Sequence, residues 1–170
     1  LVHPYANPRV MAGQGTIGLE ILLQAPDVTD IFVSVGGGAL LSGITVAVKT
    51  LHPEVRIWAV ETQGTNTLER SLAAGVPVNL PIVESIAWSL GAPTVTPFAL
   101  ELAQQHIAGL EVVSDEETKV ALKKLLEDGK LLVEPAASCT LAALHRKQSF
   151  FSLEGGERHD NSHAYPLDSI

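Results

Sequence analysis

The chain has 170 residues, 46% of them hydrophobic and 18% charged, which is enough apolar material for one sizeable core and too little length for two large domains. Its 11 Lys and Arg stand against 19 Asp and Glu, a formal net charge of -8, which argues against nucleic acid and against an anionic membrane surface as partners. One cysteine, Cys139, excludes an internal disulfide and a multi-cysteine zinc site, and fits a reducing, cytoplasmic setting.

Pro4 and Pro8 mark residues 1–13 as an extended lead-in. Residues 1–20 lack the basic and apolar regions of a signal peptide, and a start at Leu1 rather than Met leads us to expect a piece of a larger protein. Ile17, Ile21 and Leu22 predict a helix over 14–24, with Thr16 near its start and Pro26 beyond its end. The β-branched and aromatic run 30–35 predicts a strand buried on both faces. Gly36, Gly37 and Gly38 end it, a helix is predicted over 40–51, and a second buried strand over 55–60. Strand, glycine turn, helix and strand make a right-handed parallel βαβ unit.

A short helix is predicted over 68–74, closed by Gly75, followed by a long irregular connection over 76–96. Pro97 opens a helix to residue 106, and 110–113 is a brief strand. Ser114 with Glu117 is a capping box that opens a helix to about 128, with Gly129 as its stop. Pro135 starts a last helix through 144. Polar residues 145–170 are expected to form a disordered or non-native tail, and the i, i+4 pair His159 and His163 belongs to it. No run reaches the ~18–20 apolar residues of a membrane span.

The glycine turn carries the chemistry. Residues without a β-carbon let backbone N–H groups converge, and a helix N-terminus adds partial positive charge, so residues 36–40 read as an anion site. One glycine would serve for a left-handed turn; three in a row suggest close approach of a ligand. The dinucleotide fingerprint GxGxxG fails at Leu41, yet Glu61 ends the next strand about where a ribose-reading acid would sit, so a nicotinamide dinucleotide domain stays open. No P-loop string and no GxSxG elbow occurs.

Four strings, HPYANPRVMAGQGTIGLEIL, VSVGGGALLSGI, ESIAWSLGAP and LLVEPAAS, stand in the order of the second half of fold-type II pyridoxal-phosphate enzymes. The chain resembles their threonine/serine dehydratase and serine racemase group, within the tryptophan synthase beta-like family, over about residues 2–144. That resemblance implies an open three-layer α/β domain, with a mainly parallel sheet and flanking helices, that binds pyridoxal 5'-phosphate and lacks the N-terminal half of the enzyme. It implies that Gly36, Gly37, Gly38, Ala39 and Leu40 are the phosphate loop, with Ala39 where a fourth glycine is usual. A methyl there requires negative φ or a peripheral amide. Glu134 matches an acid beside the cofactor, although before Pro135 it also reads as a helix N-terminal charge. Glu61 matches an acid that helps hold a divalent cation, with Thr67 where a second acid is usual; by itself Glu61 also reads as a helix cap. Ser85, Ile86 and Ala87 match a loop that passes the cofactor ring, with Trp88 and Ser89 departing from the common Asp-Gly.

The implied activity is that of an ammonia-lyase, or a racemase, on a small hydroxy amino acid, giving in the lyase case a 2-oxo acid and ammonia, with a homo-oligomer as the complete protein. The family's cofactor-bearing lysine lies in a Ser-Phe-Lys or Ser-Tyr-Lys string, and none occurs here. Lys49, Lys119, Lys123, Lys124, Lys130 and Lys147 all have the spacing of solvated helix surfaces. The fragment is therefore expected to be inactive alone, and a non-catalytic phosphate-binding module is the other reading.

Overall fold

The computed structural model describes residues 2–154, with side chains up to Gln148. Strands β1 (Asp30–Ser34), β2 (Arg56–Thr62) and β3 (Ile107–Val113) form one parallel sheet in the order β1-β2-β3. The helices are α1 (Pro8–Gln24), α2 (Ala39–Leu51), α3 (Thr67–Ala74), α4 (Pro97–His106), α5 (Asp115–Glu127) and α6 (Pro135–Glu154). Along β1 the side chains alternate. Ile31 and Val33, with Val35 beyond, join Leu41, Ile44 and Val48 of α2 and Leu100 and Ala103 of α4 in a core on one face. Phe32 turns to the other face, where Val60 and Val113 meet Ala121 of α5 and Cys139, Ala142 and Ala143 of α6. Helices thus cover both faces of an open sheet, the three-layer α/β arrangement expected.

Four differences from expectation have local causes. Helix α1 begins at Pro8, inside the expected extended lead-in. Pro8 occupies the first helical position, where its missing N–H costs nothing, and the Asn7 side chain accepts from the Arg9 amide at 2.9 Å. Strand β3 starts at Ile107, directly after α4. Gly109 is the reason: a Cβ there would stand 2.7 Å from the Trp58 ring, so the glycine lets β3 pair with β2 under that indole. After α5 the left-handed residue is Lys130 (φ 55°) rather than Gly129. Finally, α6 runs to Glu154, past the expected end at 144. Arg146 donates to Glu117 and, at 2.8 Å, to the Val112 carbonyl. Lys147 pairs with Glu111 at 2.9 Å and stands 4.7 Å from the Trp58 ring centroid. Polar residues extend this helix through partners on other elements, which apolar periodicity cannot reveal. His159 and His163 lie outside the described residues.

Candidate functional site

In a parallel sheet all strands deliver their C-terminal ends to one edge, where ligands of open α/β folds bind. The glycine turn leaves β1 at that edge. The Val35 amide still donates to the Val60 carbonyl at 2.8 Å; then the chain turns into α2. Gly38 is the N-cap and takes φ 95°, a left-handed conformation that favours glycine. Ala39, the first residue of α2, has no positive φ, so its methyl is accommodated.

Each glycine also meets a neighbour within the chain. A Cβ on Gly36 would stand 3.0 Å from the Leu90 backbone, one on Gly37 would overlap the Tyr5 ring, and one on Gly38 would overlap the Ala99 side chain. Packing therefore explains much of the triple glycine. What packing does not use is the backbone itself. Among the described residues, the amides of residues 36–41 donate to no acceptor; intrahelical bonding resumes with Ser42 N to the Gly38 carbonyl at 2.9 Å. Consecutive free N–H groups at the positive end of a 13-residue helix form a donor set suited to a phosphate ester.

Two segments wall this turn. On one side Tyr5 sits against Gly37. Its strap is shaped by His3, whose Nδ1 accepts from the Tyr5 and Ala6 amides at 3.4 and 3.0 Å. On the other side runs the connection 76–96, irregular except for a 3-10 turn at Trp88–Leu90. Leu90 backs Gly36, and Ser89 donates from its hydroxyl to Glu134 at 2.8 Å. Glu134, exposed just before α6, is thereby tied to the same loop that touches the glycine turn. Its carbonyl also accepts from Ala137 and Ser138 at the start of α6.

Glu61 is elsewhere engaged. It is fully buried, and its carboxylate accepts the Leu68 amide at 2.7 Å, the Glu69 amide at 2.8 Å and the Thr67 hydroxyl at 3.4 Å. It caps α3 from a distance, in place of a side chain at the N-cap itself. Burial pushes its carboxyl up to about 7, against the opposing pull of those donors. Both oxygens are spent on the helix, and among the described residues no three His, Cys, Asp or Glu side chains gather as a metal group would require. The structure places Glu61 in a capping role and gives the cation expectation no support among the described residues.

Tyr5 was not visible as a site neighbour in the sequence, because it lies between two prolines in a segment read as a lead-in. Asp115 carries no signal in the sequence beyond its place next to the Ser114 cap. Two cavities are lined by residues outside 36–41. An apolar groove of about 910 Å³ between α1, α2 and Phe98 is lined by Met11, Leu19, Val46 and Ala47. A polar one of about 470 Å³ is lined by Gln63, Gly64, Glu84 and Asp115. No helix among the described residues is long and apolar enough to cross a membrane.

Comparison with known proteins places this geometry. Residues 1–158 match the family described as pyridoxal-phosphate dependent enzyme. The chain is 43% identical over 147 residues to an L-threonine ammonia-lyase of Geobacter sulfurreducens, covering 84% of this chain and 36% of that protein. It is 38% identical to a phenylserine dehydratase of Ralstonia pickettii, covering 84% of this chain and 44% of that protein. The structure superposes on maize serine racemase with a TM-score of 0.81 at 35% identity, over 84% of this chain and 45% of that one. The chain therefore spans less than half the length of these relatives.

Proposed function

The chain belongs to the pyridoxal-phosphate dependent enzymes, and on that premise we propose that its glycine turn holds the phosphate of pyridoxal 5'-phosphate and that the complete protein is an ammonia-lyase acting on a small hydroxy amino acid. The observation that carries this is the run of free amides over residues 36–41 at the α2 N-terminus. The Gly36, Gly37 and Gly38 amides of the loop and the Ala39 and Leu40 amides of the first turn of α2 would hold the phosphate. Glu134, held by Ser89, supplies an acceptor at the rim of the same site. The cofactor, when bound, supplies the electron sink for loss of an α-proton and a β-hydroxyl. Glu61 acts at one remove, by capping the helix that follows β2. The names of the relatives at 43% and 38% identity favour a lyase on threonine-like or phenylserine-like substrates.

The lysines of this chain have other work. Lys49 donates to the Pro53 and Val55 carbonyls, Lys130 to the Glu127 carbonyl, and Lys119, Lys123, Lys124 and Lys147 pair with Glu116, Glu127, Asp128 and Glu111. Binding by this chain is accordingly expected to be non-covalent. Titration with pyridoxal 5'-phosphate should saturate, inorganic phosphate should compete, and pyridoxal without phosphate should bind much more weakly. Borohydride treatment should leave no adduct on a lysine. Gly38→Ala forces a side chain into φ 95° and into Ala99. A left-handed alanine costs the fold roughly 1–2 kcal/mol; relieving that strain and the clash with Ala99 displaces the amides of the turn, so affinity should fall about tenfold. Equal binding of pyridoxal with and without phosphate would reject the phosphate-cradle assignment, and a stable adduct at one lysine would reject non-covalent binding by this chain.

A further inference from the structure

The loop that walls the glycine turn is itself held at one joint. The Asp115 Oδ1 accepts from the Ser85 hydroxyl at 2.7 Å, and its Oδ2 accepts from the Ile86 amide at 3.1 Å. The Ser85 oxygen in turn accepts from the Thr62 hydroxyl at 2.8 Å and from the Ala87 amide at 3.1 Å. Thr62 is bonded to Thr65 at 2.8 Å, and both threonines are buried. Thr62 donates to Ser85 and Ser85 donates to Asp115, so the carboxylate's charge terminates this relay. The joint therefore ties the exit of β2, the start of the loop and the start of α5 to a single side chain.

Asp115 is free for this because its own helix does not need it. Ser114 and Glu117 already cap α5 reciprocally, and neither carboxylate oxygen of Asp115 accepts from an α5 amide among the bonds of the described residues. From the joint the loop runs on to Ser89, which holds Glu134, and to Leu90, which backs Gly36. A few residues therefore separate Asp115's grip from both contacts that this one wall makes, Ser89 with Glu134 and Leu90 with Gly36.

We propose that Asp115 is a positioning residue for the cofactor site, holding loop 85–90 through Ser85 and the Ile86 amide so that Leu90 supports Gly36 and Ser89 orients Glu134. This rests on the assignment of the glycine turn to pyridoxal 5'-phosphate. It adds a residue that reaches the site only through another segment.

Equilibrium dialysis of the full chain against pyridoxal 5'-phosphate, well below its melting temperature, tests the role. Asp115→Ala is expected to raise Kd about tenfold, the scale of a lost charge-assisted hydrogen bond, with an unchanged far-UV circular dichroism spectrum. Asp115→Asn keeps an acceptor for Ser85 and should recover part of the loss. Glu116→Ala, one position along the same helix and exposed, should bind like wild type. A merely structural role would lower Tm and leave Kd alone, and that result overturns the proposal. Should Asp115→Ala fail to fold, Ser85→Ala decides: a raised Kd supports positioning, and a wild-type Kd overturns it. Absence of binding by the wild-type chain would instead reject the cofactor assignment, and the proposal with it.

Discussion

Replacing Gly43 with alanine is expected to lower the melting temperature of the chain by on the order of 10 °C. Helix α1 crosses α2 at this residue. A Cβ on Gly43 would overlap the Met11 carbonyl oxygen and stand 2.6 Å from the Gly15 nitrogen and 2.8 Å from the Gln14 carbonyl carbon. All three are backbone atoms of a helix, so no rotamer change relieves the clash; the helices must separate. The contact is mutual, since a Cβ on Gly15 would meet the Gly43 oxygen at 3.2 Å and one on Gly18 would meet Ala47 and Val48 at 3.2 Å. Overpacking of this kind costs about 3 kcal/mol, and each kcal/mol shifts Tm by roughly 2–4 °C at this chain length. Gly13 gives the matched control. It lies in α1, the partner helix, with nothing within 4 Å of a built Cβ, so Gly13→Ala should raise stability by about 0.5–1 kcal/mol through backbone entropy alone. Thermal melts of the two variants should move in opposite directions. Shifts of equal size and sign would show that α1 and α2 are not closely packed in solution.

The second large effect is a pH dependence opposite to the usual behaviour of carboxylates. Glu61 is held near 7 in the folded chain, against an ordinary value of 4.5, because burial penalises its charge. Between those values the folded state keeps a proton that the unfolded state has released. Folding stability from this group is therefore greatest below about pH 4.5, falls as pH rises to about 7, and is flat above. At about 1.4 kcal/mol per pH unit the total is roughly 3 kcal/mol. Glu117 works the other way. Hydrogen bonding from Arg146 draws it down to about 2, so its contribution is complete above 4.5 and disappears as pH falls through 2. The two windows do not overlap, and a stability maximum is expected on the acid side of neutrality. Urea unfolding of wild type and Glu61→Gln at pH 5, 6, 7 and 8 isolates the first effect from every other titrating group. The wild type should lose stability over that range relative to Glu61→Gln, and parallel curves would refute the buried-charge explanation.

The parts of this fold that the sequence made legible are those whose causes are local. The β-branched run ending in three glycines, followed by a helix and another apolar run, announces β1, α2 and β2 because each signal acts over a few residues. The Ser114 and Glu117 pair announces α5 for the same reason. Pro8 misled because proline disfavours a helix interior but suits its first position, and only the Asn7 cap decides between them. The length of α6 was hidden because Arg146 and Lys147 are supported from β3 and α5. Glu61 could be read as an acid at a strand end and as a helix cap, but the reach of both its oxygens to the Leu68 and Glu69 amides, seven and eight residues on, follows no local pattern. The grip of Asp115 on Ser85 joins residues 30 positions apart, and no periodicity records it. Family resemblance supplied the cofactor; it could not supply Tyr5 against Gly37 or the tie from Ser89 to Glu134, which exist only once the chain is folded.

The unequal spacing of the three strands also sets an order of assembly. β1 and β2 are joined through α2 alone, so their pairing closes a short loop. β2 and β3 pair Ile57 with Ile107 across α3, the irregular connection and α4, a longer closure with a larger entropy cost. Pulse-labelling exchange during refolding should therefore protect amides shared by β1 and β2 before those shared by β2 and β3, and simultaneous protection would refute this order. The joint at Asp115 cannot close until that second step, because α5 follows β3. In kinetic terms the glycine turn is built early and its wall arrives late, so competence to bind should trail the first appearance of the sheet.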